Sequence, residues 1–137
     1  MRNRSIDPHI PRRWLRSLLL VIALTTLTAC DDDLLVVPGV GVGYDEAGRE
    51  AFNQYACTSC HVIPGVVGSD IHVGPPLTAI AQRKFIAGVL PNNPENLVRW
   101  LREPQKFAPR SAMPDLGVSE QSALDMTAYL YGRTADD

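Results

Sequence analysis

After residue 44, apolar side chains recur at helical spacing, and residues that begin or end helices separate the apolar stretches. Asp45 is a candidate cap for a first helix, which is expected to begin near Glu46 and to run to the cysteine pair at 57 and 60. Gly48 and Phe52 lie one turn apart on one face of this helix. This face is therefore predicted to pack against another element.

Two further helices are predicted from their start and stop signals. Asn93 followed by Pro94 is a strong helix start, and four apolar residues continue the pattern to Leu101. Ser119 caps a last helix, which Gly132 is expected to stop. The pattern after residue 44 is thus that of a small helical domain.

The first 29 residues have the parts of a secretory signal. Three arginines precede a mainly apolar run from Leu18 to Ala29, which ends in small residues. The run has about a dozen residues, fewer than the roughly 20 that cross a bilayer as a helix. We therefore expect residues 1–29 to be a signal peptide. The length of the run disfavours the alternative, an uncleaved membrane anchor.

Leu27-Thr28-Ala29-Cys30 resembles a bacterial lipobox. The resemblance implies that Cys30 receives a diacylglyceryl group and becomes the first residue of the mature protein, whose acyl chains then hold it at a membrane. A plain signal peptide with an incidental cysteine is the alternative. Asp31 resembles the signal that retains lipoproteins of enteric bacteria at the inner membrane. Together these features predict a lipid-anchored chain at the outer, periplasmic face of the bacterial cytoplasmic membrane.

Residues 30–43 are expected to form the lipidated cysteine and a flexible linker, because residues 31–43 contain three Gly, one Pro and three Asp. Thirteen extended residues reach about 40 Å, enough for a tethered domain to move between membrane complexes. Alternatively, the apolar residues 34–37 lie on the domain or on the bilayer surface. The folded domain is predicted at residues 44–133, followed by a tail at 134–137.

The charge of the chain excludes one class of partner. Residues 30–137 carry eight Lys or Arg and fourteen Asp or Glu side chains. Nucleic acid is not an expected partner, because it would require a basic face. An acidic exported domain instead suits electrostatic steering toward a partner with a positive patch. No arrangement of catalytic acid, base or nucleophile stands out, so neither an enzymatic activity nor a small-molecule substrate is predicted.

Cys57-Thr58-Ser59-Cys60-His61 fits the Cys-x-x-Cys-His pattern of covalent haem attachment. One helical turn places the two thiols along one edge, where they can add to the two vinyl groups of a haem, and His61 follows as an axial ligand of the iron. A cysteine pair alone also fits a thioredoxin-like redox pair or half of a zinc site. The first needs a βαβ context that the pattern lacks, and the second needs two more ligands.

With this motif and the segments around it, residues 44–133 resemble a class I c-type cytochrome. The resemblance implies an all-α fold of three to five helices around one covalently bound haem c, with the first and last helices crossing. Gly48 would be the residue of closest approach at this crossing, with Phe52, Met126 and Tyr129 around it.

The segment Gly74-Pro75-Pro76-Leu77 resembles the Gly-Pro-x-Leu segment of that family. The resemblance implies that the Pro75 carbonyl accepts the Nδ1 proton of His61, which fixes the tautomer of the imidazole and raises its basicity. It also implies that Leu77 packs against the face of the haem.

Ala112-Met113-Pro114 resembles the family's methionine-ligand loop and implies that Met113 is the second axial ligand. A methionine that only fills the core is the alternative. His72 is a rival ligand, since a site with two histidines is chemically reasonable, but it precedes the Gly-Pro segment on the His61 side.

Arg83 lies six residues after Leu77, where many family members place a basic residue near a haem propionate. Trp100 is a candidate donor to the same propionate. Alternatively, Arg83 is a solvated charge and Trp100 a core residue.

Residues 90–105, followed by Ala112-Met113-Pro114, resemble more closely the cytochrome c domain that is fused to subunit II of some bacterial terminal oxidases. The chain departs from that pattern because a membrane hairpin and a copper domain do not precede the haem domain. The resemblance implies a membrane-tethered monohaem carrier of single electrons in a respiratory chain. Its partners would be a terminal oxidase, a quinol–cytochrome c reductase or a dehydrogenase. A fixed haem subunit of such a complex and a haem gas sensor or enzyme are the alternatives.

Overall fold

A computed structural model of the chain describes residues 34–38, 41–68 and 73–133. The predicted signal peptide, Cys30, the rival ligand His72 and the predicted tail lie outside these residues. Within the described ranges, no helix has both the length and the apolar character needed to cross a membrane.

The described residues form a mainly helical domain, as predicted. Its helices are α1 at Asp45–Gln54, α2 at Pro94–Arg102, α3 at Pro104–Phe107 and α4 at Glu120–Gly132, with 3₁₀ turns at Cys57–Ser59 and Ile80–Gln82. Short strands form two antiparallel hairpins, β1 at Leu34–Val37 with β2 at Gly41–Tyr44, and β3 at Phe85–Ile86 with β4 at Leu90–Pro91.

The caps of two helices confirm the start signals in the sequence. The Asn93 side chain accepts from the Asn96 amide at 2.8 Å, and the Ser119 hydroxyl accepts from the Ser122 amide at 3.0 Å. Asp45 does not act as predicted, because it is the first residue of α1 rather than its cap. Its carboxylate instead lies 3.3 Å from the guanidinium of Arg133, just beyond the end of α4.

Helices α1 and α4 cross at Gly48, as the sequence predicts. A Cβ atom on Gly48 would collide with the backbone carbonyl of Asp125 and would lie 2.9 Å from the Cβ of Tyr129. Phe52 and Tyr129 meet edge to face beside this contact, with ring centroids 5.7 Å apart. The Tyr129 hydroxyl donates to the Pro64 carbonyl, so the crossing is also joined to the segment that follows the haem-attachment motif. Met126, which also belongs to α4, is fully buried in the hydrophobic core.

The hairpin of β1 and β2 differs from the flexible linker that the sequence predicts over residues 30–43. Val37 is only 3% exposed, and Gly41 and Gly43 lie against Leu124 of α4. A Cβ atom on Gly43 would collide with the Leu124 carbonyl, so glycine is needed for this close approach. The prediction of a flexible linker is therefore wrong for residues 34–37 and 41–43. The alternative, in which residues 34–37 lie on the domain, describes β1.

Hydrogen bonds fasten this hairpin to α4. The Tyr44 amide donates to the Asp125 carboxylate at 2.9 Å, and the Gln121 side chain donates to the Val42 carbonyl at 2.9 Å. Gln121 also donates a hydrogen bond to the Asp125 carboxylate, so these two α4 side chains form one hydrogen-bonded group that holds β2. The hairpin is thus an integral part of the domain.

Candidate functional site

The turn that carries the cysteine pair follows α1 directly. Ala56, two residues after the end of α1, adopts a left-handed conformation with φ of 53° and precedes the 3₁₀ turn at Cys57–Ser59. The Cys60 and His61 amides both donate to the Cys57 carbonyl, at 3.2 and 3.0 Å. This single tight turn places the two thiols and the imidazole next to one another, as the spacing of the motif predicts.

The His61 ring is held by the segment of residues 73–77. Its Nδ1 atom lies 2.8 Å from the Pro75 carbonyl oxygen. A carbonyl can only accept a hydrogen bond, so Nδ1 carries a proton, and in the neutral ring Nε2 then keeps its lone pair for a metal. The contact is the one that the resemblance implied for Pro75.

Two backbone hydrogen bonds keep this segment beside the motif. The Gly74 amide donates to the Cys60 carbonyl at 2.7 Å, and the Leu77 amide donates to the Val62 carbonyl at 2.7 Å. With the bond from His61 to Pro75, three hydrogen bonds fix the imidazole against its support.

Gly74 has a role that the sequence analysis missed. A Cβ atom at this position would collide with the His61 ring, 2.7 Å from Nδ1 and 2.9 Å from Nε2. Glycine is therefore required because the backbone packs directly on the edge of the imidazole.

We expect Gly74→Ala to displace the His61 ring and to break its bond with Pro75. The oxidised, haem-loaded variant should show a high-spin absorption spectrum, and its free energy of unfolding in urea should fall by roughly 1–3 kcal/mol, as for other overpacked sites. The matched control is Pro75→Ala, which keeps the accepting carbonyl and should keep the low-spin spectrum. Equal spectra for wild type and Gly74→Ala would contradict this account.

The thiols of Cys57 and Cys60 are half-buried and not joined in a disulfide. Burial raises the pKa of the Cys57 thiol to about 11, so this thiol is protonated at neutral pH in the fold. A thioredoxin-like pair needs an attacking cysteine with a lowered pKa. The environment of Cys57 therefore disfavours that alternative. For the zinc alternative, the described residues contain no group of three His, Cys, Asp or Glu side chains arranged to hold a metal ion.

Met113 lies on the long loop between α3 and α4. The Met113 amide donates to the Ser111 hydroxyl at 3.1 Å, and the Ser111 amide donates to the Ala108 carbonyl at 2.8 Å. These local bonds shape the loop around Met113, whose side chain packs partly buried against the hydrophobic core.

One cavity of about 440 Å³ brings the predicted site residues together. Its size lies within the range of roughly 300–1,000 Å³ that is usual for cofactor sites. The lining contains every predicted haem-binding residue, namely Cys57, Cys60, His61, Pro75, Leu77, Arg83, Trp100 and Met113. Most of the other lining side chains are apolar, among them Phe52, Ile80, Leu97, Leu101 and Leu130.

Arg83 and Trp100 line this cavity in different ways. The Arg83 guanidinium donates to the Pro76 carbonyl at 2.5 Å and to the Thr78 carbonyl at 3.0 Å, so it supports the segment that follows Pro75. Trp100 is buried on α2, at 6% exposure. Their predicted bonds to a haem propionate stay predictions.

Asn92 supports the loop that carries Arg83, a role that the sequence did not predict. The Asn92 side chain donates to the carbonyls of Ile80 at 2.6 Å and Arg83 at 2.9 Å, and it accepts from the Tyr131 hydroxyl at 2.8 Å. Asn92 thereby joins the last helix to the loop that carries Arg83. No local signal identifies Asn92, because its partners are far apart in the chain.

These residues fit a covalently held haem. Two thiols on one turn could form the thioether bonds, and the Nε2 of His61 is left for the iron by the bond at Nδ1. Met113 supplies a thioether sulfur from another segment of the same cavity wall. Apolar side chains around them would exclude water from the macrocycle.

Comparisons with known proteins identify the family of the chain. A family model described as "Cytochrome c" matches residues 46–133. Over 84 residues, 61% of this chain, the sequence is 37% identical to cytochrome c oxidase subunit 2 of Alkalihalophilus pseudofirmus. Over 95 residues, 65% of the chain, it is 34% identical to the subunit 2 of Bacillus subtilis. The match spans about a quarter of each relative, 24% and 26% of their lengths.

A solved structure has the same fold. Cytochrome c2 from Rhodobacter sphaeroides superposes with a TM-score of 0.51 at 24% sequence identity, covering 67% of this chain and 97% of that protein. The likeness confirms the predicted class I cytochrome c fold.

Proposed function

The chain belongs to the cytochrome c family, and we propose that it is a membrane-tethered monohaem cytochrome that carries single electrons outside the cytoplasmic membrane, toward a terminal oxidase. One observation carries the proposal. Both thiols and both candidate axial ligands, His61 and Met113, line a single cavity. When bound there, haem c supplies a one-electron redox centre.

The residues of this chain would hold the group and close its iron to other ligands. Cys57 and Cys60 would bind it covalently, and His61 would be kept in one tautomer by Pro75. Met113 would supply the iron with a second protein ligand, which would leave no open site for a substrate or for oxygen. Methionine ligation also raises the reduction potential, which suits the oxidase end of a respiratory chain.

The relatives and the charge support the choice of partner. The curated relatives are oxidase subunits, so a terminal oxidase is the proposed acceptor, and a quinol–cytochrome c reductase or a dehydrogenase the proposed donor. The excess of fourteen acidic over eight basic side chains in residues 30–137 favours steering toward a basic docking surface. The proposed lipid anchor at Cys30 rests on the signal-like sequence before it.

We expect the reduced, haem-loaded protein to bind no carbon monoxide and to be reoxidised rapidly by membranes that contain a terminal oxidase. Absorption spectroscopy measures both results. Immediate formation of a carbon monoxide–haem spectrum would reject the proposal of an electron carrier and would favour a gas sensor or an enzyme. Reoxidation that slows as ionic strength rises is expected, because salt screens the proposed steering.

The oxidase relatives also favour a second candidate, a fixed haem subunit of an oxidase or dehydrogenase complex. Purification from gently solubilised membranes distinguishes the two. A carrier should separate from other redox proteins, whereas a fixed subunit should co-purify with them in constant proportion.

A further inference from the structure

The hairpin of β1 and β2 has an apolar outer face. Leu34 lies opposite Tyr44 and Val36 lies opposite Val42 in the register of the two strands. These side chains are 57%, 46%, 60% and 36% exposed, respectively. We call the four residues the outer patch.

The two faces of this hairpin are both apolar. The inner face, with Val37, Gly41 and Gly43, packs on Leu124 of α4. An antiparallel sheet with one packed face usually presents polar residues on its other face. The outer patch has no charged residue, and a contiguous exposed apolar face of this kind marks an interaction surface.

The chain before the hairpin indicates what covers the outer patch. Only three residues, Asp31–Asp33, separate Cys30 from Leu34. Even fully extended, this connection spans about 14 Å. If the membrane attachment lies at Cys30, or if the apolar run before it stays in the membrane, the hairpin is held within that distance of the lipid headgroups.

We propose that the outer patch rests on the bilayer surface and orients the domain there. This inference rests on the membrane attachment in the proposed function. Leu34, Val36 and Val42 would enter the boundary between headgroups and acyl chains, as apolar faces of interfacial elements do. Tyr44 has an apolar ring and a polar hydroxyl, the combination that is enriched at membrane interfaces.

This contact would keep the haem cavity away from the lipid. Helix α4 meets the hairpin through Leu124 and contributes Leu130 to the cavity. Six residues apart, these side chains point in directions about 120° apart around the helix axis. Among the described residues that line the cavity, none belongs to β1 or β2. The patch would thus hold the domain with its redox site turned toward partners.

The test uses the full haem-loaded chain, reconstituted into phosphatidylcholine vesicles that contain a diazirine-labelled phospholipid. After irradiation, mass spectrometry maps the lipid adducts and also reports whether Cys30 is acylated. We expect adducts on residues 34–44 to exceed, several-fold, those on peptides with Val67 and Val89. These two valines are 96% and 48% exposed outside the hairpin.

The outcomes separate this inference from the proposed attachment. Acylated Cys30 without enriched adducts on the hairpin would overturn the inference and leave the anchor in place. A hairpin without lipid adducts in a protein that elutes from size-exclusion chromatography as a dimer, or together with another protein, would also overturn it. A Cys30 without acyl chains and a protein that does not associate with membranes would reject both.

A pair of variants checks that the patch itself makes the contact. In the double variant Val36→Ser with Val42→Ser, the yield of lipid adducts on the hairpin should decrease several-fold. Haem absorption and urea unfolding should be unchanged, because both side chains point away from α4. Val67→Ser with Val89→Ser is the matched control and should keep the adducts. Unchanged adducts in the hairpin variant would contradict the proposal.

Discussion

Replacing Met113 with leucine should open the sixth position of the haem iron. Leucine keeps the bulk of methionine but offers no sulfur, so the reduced, haem-loaded variant is expected to bind carbon monoxide promptly. Its reduction potential should fall, because methionine ligation raises it, within the range of roughly 0.8 V that axial ligands set. Carbon monoxide difference spectra and a potentiometric titration measure these two effects.

Met126→Leu is the matched control for this change. Met126 lies in α4 and is part of the hydrophobic core, at 0% exposure, and it does not line the cavity. Its replacement should cost less than about 1.5 kcal/mol of stability, as for similar-volume exchanges. The spectrum should stay six-coordinate. Carbon monoxide binding by Met126→Leu but not by Met113→Leu would show that the axial ligand is assigned wrongly.

Gly48→Ala should separate the two crossing helices and cause the largest loss of stability among the substitutions considered. The added Cβ would collide with the Asp125 carbonyl and would crowd the Tyr129 side chain. Neither the backbone of a buried helix nor the enclosed ring can move aside easily. We expect the free energy of unfolding to fall by about 3 kcal/mol, the upper part of the usual range for overpacking. Urea unfolding followed at the haem absorption band measures the loss.

Gly132→Ala provides the control for this prediction. Gly132 is the last residue of α4, and a Cβ atom there would meet nothing within 4 Å. Alanine also favours a helix more than glycine does, by up to about 1 kcal/mol. Stability should therefore be unchanged or slightly raised. Helix propensity would act in the stabilising direction in both variants. A similar loss of stability in both would therefore mean that the close approach at the crossing is not its cause.

Much of the fold and of the site could be predicted because the determining signals are local or belong to a strong motif. Asn93 and Ser119 each cap a helix by accepting a hydrogen bond from the backbone amide three residues later in the chain. The spacing of Cys57, Cys60 and His61 predicts one turn, which the structure contains. Gly48 was identified through the resemblance and has the predicted contact.

Features that depend on tertiary contacts escaped prediction. The Gly-Val-Gly-Val-Gly stretch at residues 39–43 has the composition of a linker, yet Gly41 and Gly43 allow close packing on Leu124, 81 or more residues away. Gly74 belongs to the Gly-Pro-x-Leu segment that the resemblance identified, but its packing on the His61 ring is a tertiary contact that the segment alone does not reveal. The bond between Tyr131 and Asn92 joins residues 39 positions apart, so neither side chain alone indicates it.

The packed hairpin changes how far a tethered carrier could search for its partners. The sequence alone predicts a linker of thirteen residues, 31–43, after Cys30. Because strands occupy residues 34–37 and 41–44, only three residues, 31–33, separate Cys30 from the folded domain. The effective concentration of a linked group is high for targets within the span of its linker and falls to nearly zero beyond it. A chain anchored at Cys30 would thus meet acceptors close above the lipid at high local concentration. Redox proteins with a docking face higher above the membrane would be excluded by geometry alone.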